Sequence, residues 1–212
     1  MKRPRLRRRA RPLLIGLTGS IGMGKSTIAA MFRRFGLPVF DADQAVRRLQ
    51  GPGGKLLGEI EAAFPGTTGP RGVDRQKLGA AVFGNGEALR RLERIVHPGV
   101  RQEEARFRCR YQSRRAIVLD VPLLLEGDGW KKMDLIAVAS APARVQRARV
   151  LKRPGMDAEK MARVLRQQMP DAEKRSRADV VIETGRGRHH TFRAVRRIAR
   201  AALGGRMSDS GR

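Results

Sequence analysis

The stretch GSIGMGKS, residues 19–26, constrains this chain more than any other feature. It follows a short apolar run, PLLIGLT, and opens the segment KSTIAAMFRRF, whose Ile28, Met31, Phe32 and Phe35 fall near one helical face. A strand that breaks into glycines and re-enters as a helix lets the backbone wrap an anion with converging N–H groups, while the helix presents its positive end. Gly19, four intervening residues (Ser20, Ile21, Gly22, Met23) and then Gly24, Lys25 and Ser26 fit the phosphate-loop pattern. Lys25 is expected to reach the outer phosphates of a bound phosphate chain, and the Ser26 hydroxyl suits Mg²⁺. Thr27 either adds a hydroxyl there or fills the first helical turn.

The residues after the loop narrow the chemistry. The helix runs into a second short strand closing on two acids, FDAD, and no guanine-reading NKxD box is present. Asp41 and Asp43 are alternate residues, which point in similar directions if the backbone stays extended. A carboxylate beside such a loop can orient or deprotonate an acceptor hydroxyl, and another can organise Mg²⁺ through water, as phosphoryl transfer requires. Asp43 is read as the acceptor-side carboxylate or as a helix N-cap, and Asp41 as a metal-organising acid or a structural one. Asp120, ending IVLDVP, is either a ligand to a metal-bound water or a turn cap.

Apolar runs at 12–18, 36–43, 114–126, 132–142 and 178–185 alternate with helical stretches, which predicts an α/β fold with a parallel sheet covered on both faces. Active groups should then gather at the carboxyl ends of the strands. The 212 residues suffice for one substantial core plus a subdomain or lid. The formal charge of +26, heaviest in the first twelve residues, should attract polyanions, ATP among them. Residues 1–11 are expected to be a disordered basic arm with loose polyanion binding, and residues 204–212 a polar tail. Aromatic residues make up 4% of the chain, too few for a dedicated single-strand binder, and no specific nucleic acid is expected. A single cysteine, Cys109, excludes an intrachain disulfide, and no apolar run is long enough to span a membrane, so a cytoplasmic protein is expected.

The set GLTGSIGMGKST, FDAD followed by Arg47, LERIVHP, VLDVPLLLEG, QRARVLKRPGM and RQQMPDAEKRSRADVVIETG resembles the dephospho-CoA kinase family in order and spacing, from about Leu13 to Arg197. The resemblance implies a P-loop NTPase three-layer sandwich carrying a helical acceptor-binding region (44–114) and a helical lid (142–176) within one kinase domain (12–203). It implies transfer of the ATP γ-phosphoryl group to the ribose 3′-hydroxyl of dephospho-CoA. A monomer is expected. Asp43 matches the family's proposed base. Arg47 falls where an acceptor phosphate could be contacted. His97 lies in the acceptor region, where it touches substrate or, before Pro98, fixes a helix end. Arg149 and Arg153 match lid arginines that neutralise the transferring group, although most arginines here are expected to be solvated. Lys174 is placed near nucleotide or lid. The chain departs from the family at Ser20 and Met23 in the loop, and at Thr184, where asparagine is usual. Another small-metabolite or nucleotide kinase, a nucleic-acid-associated P-loop ATPase and a noncatalytic anion binder are the competing readings.

Overall fold

Runs of Val, Ile, Leu and Ala too apolar to face water form most of the strands, and amphipathic stretches between them form the helices. In chain order the elements begin β1 (Leu13–Thr18), α1 (Lys25–Arg34), β2 (Val39–Asp41), α2 (Ala42–Gln50), α3 (Leu57–Ala63), β3 (Thr68–Gly69), β4 (Gly72–Val73), α4 (Arg75–Val82) and α5 (Gly86–Arg110). They continue with β5 (Ala116–Asp120), β6 (Leu135–Ser140), α6 (Ala143–Leu151), α7 (Ala158–Arg166), α8 (Asp171–Ser176), β7 (Val180–Glu183) and α9 (Arg188–Ala202). The structure, a computed structural model, describes residues 11–204. The expected arm and tail therefore lie outside the described residues, except at Arg11 and Gly204. Arg11 is not loose: its guanidinium donates to both carboxylate oxygens of Asp134 at 2.6 and 2.9 Å, and Asp134 also accepts from Leu14 N–H at 2.8 Å.

The described residues divide into two units, one of residues 11–40 with 111–204 and the other of residues 41–110. The first carries a five-stranded sheet in the order β2-β5-β1-β6-β7. β1 pairs in parallel with β5 and with β6, and β6 in parallel with β7. The register sets Leu17 beside Asp120, Thr18 beside Val138 and Ser140 beside Glu183, so the carboxyl ends of four strands finish near one level. One face packs Ile15, Leu17, Val118 and Ile182 against Ile28 and Phe32 of α1 and Val195 and Ile198 of α9. Phe32 is fully buried there, and truncating such a ring to alanine typically costs about 3–5 kcal/mol. Leu125, Ile136 and Val138 form a second cluster with Met133, Met169 and Ala178. α9 begins at Arg188, and buried Thr191 in its first turn donates its hydroxyl back to the Gly187 carbonyl at 3.1 Å.

The second unit is built from α2 to α5 and a short antiparallel hairpin, β3 with β4. Its core joins Leu49, Leu56, Ile60, Phe64 and Leu78 to Leu92, Ile95, Val96 and Val100 of α5. The turn-rich stretch FPGTTGPRG, residues 64–72, carries most of the hairpin. α5 runs unbroken through Pro98 for 25 residues, so His97 does not mark a helix end. Proline removes one backbone donor and crowds the preceding turn. The apolar residues on either side of it outweigh that loss, and Gly99 lets the helix sit close to Leu49 and Leu56.

Candidate active site

The loop of residues 19–24 is shaped by glycines where no other residue fits. Gly19 has φ +150°, and a Cβ there would sit 2.6 Å from the Ala139 carbonyl oxygen; Gly24, at φ +87°, is the N-cap of α1 and leaves that helix without a side-chain cap. The first amides of α1 are thus open to an anion. Lys25 begins α1, and its ammonium pairs with Asp120 at 2.5 Å. Asp120 is 2% exposed at the end of β5, so the strand end and the loop lysine meet at one point. Ser26 and Thr27 are exposed in the first turn of α1.

Three successive loop carbonyls are held from outside the loop. Ile21 accepts from Gln146 Nε2 at 2.8 Å, Gly22 from Arg149 Nη1 at 3.4 Å, and Met23 from the Thr184 hydroxyl at 2.8 Å. The Ile21 amide donates to Gln168 Oε1 at 3.0 Å. Gln146 and Arg149 belong to α6, Gln168 follows α7, and Thr184 follows β7, so the lid region grips the loop in this structure. A planar trans peptide points its C=O and N–H in opposite directions. Holding the carbonyls of Ile21 and Met23 outward therefore turns the Gly22 and Gly24 amides the other way.

The residues expected on the lid separate. Arg149 is partly buried and donates to Thr184 twice, from Nη1 to the hydroxyl at 2.8 Å and from Nη2 to the carbonyl at 2.7 Å. Arg153 is exposed, beyond the end of α6. Lys174 is fully buried, with its ammonium on Glu126 at 2.8 Å and on the Pro122 carbonyl at 3.3 Å. That carbonyl also accepts from Thr18 at 2.9 Å, so Lys174 anchors the segment after Asp120 and does not present its charge at the surface of the site. The sequence offered no sign of this pairing, because Glu126 and Lys174 are far apart along the chain. Nor did it show that Thr184, noted only as a departure from the family, turns its hydroxyl to the loop.

In the second unit the backbone leaves the extended state sooner than the alternate spacing of Asp41 and Asp43 required. α2 begins at Ala42, and Asp41 is its N-cap, accepting from Gln44 N–H at 2.9 Å. Asp43, in the first turn, is exposed and is not the cap, which removes one of its two readings. Arg47 is exposed one turn later on the same helix. His97 lines an open cleft of about 480 Å³ with Glu87, Arg90, Glu93 and Arg94 of α5. Among the described residues no three histidine, cysteine or carboxylate side chains cluster as a metal cage.

A phosphate loop with its lysine on a strand-end aspartate, a parallel sheet and a helical lid region define a P-loop kinase. Known proteins narrow that class. The family model for dephospho-CoA kinase matches residues 13–188. A dephospho-CoA kinase of Novosphingobium aromaticivorans is 58% identical over 191 residues, covering 90% of this chain and 95% of that one. One of Rhodospirillum rubrum is 48% identical over 187 residues, covering 87% and 89%. A crystal structure of a Thermus thermophilus protein superposes with a TM-score of 0.82 at 34% identity, covering 92% of this chain and all of that one. The dephospho-CoA kinase of Campylobacter jejuni, at 21% identity and a TM-score of 0.61, covers 91% and 98% and shares the fold. The chain belongs to the dephospho-CoA kinase family.

Proposed function

We propose that this protein transfers the γ-phosphoryl group of ATP to the ribose 3′-hydroxyl of dephospho-CoA, giving coenzyme A and ADP, the last step of coenzyme A synthesis. The observation that carries the reading is the phosphate loop whose lysine meets Asp120, in a chain that matches the family model over residues 13–188. The loop amides and the start of α1 bind the phosphate chain, and Lys25, released from Asp120, follows the charge that builds on the transferring group. Asp43, exposed and free of the capping role, accepts the proton of the 3′-hydroxyl. Arg47 and His97 serve the acceptor. Arg149 and Arg153 neutralise the phosphoryl group in transit, and Lys174 acts indirectly, through Pro122 and Glu126.

The donors near the loop fit Mg²⁺, a hard cation that takes oxygen ligands: the exposed Ser26 hydroxyl and the Asp120 carboxylate are of that kind. Bound there, Mg²⁺ would neutralise phosphate charge. Asp41 retains a carboxylate that could order a metal-bound water while capping α2. No described helix is long and apolar enough to cross a membrane, and we place the protein in the cytoplasm as a monomer, its basic arm binding polyanions only loosely.

The test offers Mg-ATP with dephospho-CoA, AMP or shikimate to the purified protein and reads each acceptor by mass. Dephospho-CoA alone should gain one phosphoryl group at a substantial rate. Preferential phosphorylation of another acceptor would assign the loop and lid to a different metabolite kinase.

A further inference from the structure

We infer that Thr184 is a positioning residue for phosphoryl transfer, fixing Arg149 of α6 to the phosphate loop so that guanidinium orientation and loop shape are set together. The inference rests on the kinase reading above and goes beyond it in assigning a role to a residue at which the chain departs from the family pattern. A hydroxyl has one proton and two acceptor lone pairs. In Thr184 the proton goes to the Met23 carbonyl at 2.8 Å, with the Ser140 carbonyl farther away at 3.3 Å, and the oxygen accepts from Arg149 Nη1 at 2.8 Å. The residue itself cannot drift, since its amide donates to the Ser140 carbonyl at 2.8 Å in continuation of the β6–β7 ladder, and it is 6% exposed.

Both partners are chemically consequential. Met23 shares its peptide unit with Gly24, so drawing the Met23 carbonyl towards Thr184 aims the Gly24 amide away from it. Gly24 packs directly on this side chain: a Cβ built on it would lie 3.2 Å from the Thr184 Cβ, Cγ2 and Oγ1. Arg149 spends Nη1 and Nη2 on the Thr184 hydroxyl and carbonyl, with Nη1 also 3.4 Å from the Gly22 carbonyl. A guanidinium is a rigid planar fork, so two anchored corners fix where its other donors point. One hydroxyl thereby joins the Met23 carbonyl to the arginine, beside the longer 3.4 Å contact of Arg149 with the Gly22 carbonyl.

The test is a double-mutant cycle on the full chain. Thr184→Val keeps the shape and removes both hydroxyl bonds, Thr184→Ser keeps the hydroxyl, and Arg149→Met removes the guanidinium. Thr184→Val should lower kcat about tenfold with little change in KM for dephospho-CoA, since a direct transition-state donor is typically worth about 10²–10³ and a positioning partner less. Thr184→Ser should restore kcat to within about threefold of wild type, and Thr184→Val added to Arg149→Met should cost less than about twofold more, as expected of residues acting as a unit. Mg-ATP affinity, read by calorimetry on the same four proteins of the cycle, should show the same non-additivity. It remains readable if dephospho-CoA proves to be the wrong acceptor. Additive losses in the cycle, or a Thr184→Ser protein as slow as Thr184→Val, would overturn the inference. If Thr184→Val does not fold, Thr184→Ser with Arg149→Met decides it: a normal serine enzyme beside an impaired methionine enzyme supports the role, and a serine enzyme slowed as much as Arg149→Met refutes it.

Discussion

Asp41 and Asp43 differ by one turn of logic that only the fold reveals. Asp41 spends an oxygen on the Gln44 amide, while Asp43 is exposed in the first turn of α2. Asparagine caps a helix about as well as aspartate, so Asp41→Asn should fold normally, and its deficit should appear as a higher Mg²⁺ requirement. Asp43→Asn should bind ATP normally and transfer about 10²-fold more slowly at every Mg²⁺ concentration, the scale of positioned general-base assistance. Turnover of both variants across a Mg²⁺ series at saturating dephospho-CoA, beside calorimetric ATP affinity, checks this; a normal Asp43→Asn rate would move the base elsewhere. The places of Lys25 and Ser26 at the start of α1 were legible because local spacing alone marks the loop pattern. The burial of Lys174 against Glu126 and the bonds of Thr184 to Met23 and Arg149 were not, because each depends on which strand ends the sheet brings level.

At the scale of elements, Glu61 shows how a short turn is held in the second unit. Its carboxylate accepts from the Thr68 hydroxyl at 2.7 Å, Thr68 N–H at 3.0 Å and Gly66 N–H at 2.6 Å, tying α3 to the start of β3. The Thr68 hydroxyl first, and then the Gly66 amide, hold its pKa below the ordinary glutamate value of 4.5. A carboxylate with a lowered folded-state pKa adds stability that is complete above the unfolded value and is lost as pH falls through the folded one. Glu61→Gln should therefore lower Tm at neutral pH and flatten the loss of Tm below pH 4.5, as read by thermal unfolding from neutral pH downwards; an unchanged acid slope would show that these bonds contribute nothing to stability. The main strands were legible because buried parallel strands read as unbroken apolar runs. β3 and β4, two residues each, are too short to carry a period. The passage of α5 through Pro98 contradicts local propensity, and Ile95, Val96 and Val100 on either side of it pack against the core of the second unit.

Across the whole chain, the residues proposed for phosphate binding and those proposed for the acceptor come from different stretches. The first unit supplies the loop, Asp120, the lid region and Thr184; the second, residues 41–110, supplies Asp41, Asp43, Arg47 and His97 where an acceptor-binding region was expected over 44–114. The charge of +26 follows from 46 basic against 20 acidic side chains, and it favours anionic substrates without naming one. Charge therefore carries little of the account; the chemistry of one hydroxyl carries it. The most direct measurement offers the protein ATP labelled with heavy oxygen on the γ-phosphoryl group together with two analogues, 2′-deoxy- and 3′-deoxy-dephospho-CoA, and follows the label by mass and by phosphorus resonance. The account predicts label on the 3′-oxygen of the 2′-deoxy analogue and none on the 3′-deoxy analogue, whereas phosphorylation of the 3′-deoxy compound at a comparable rate would contradict it.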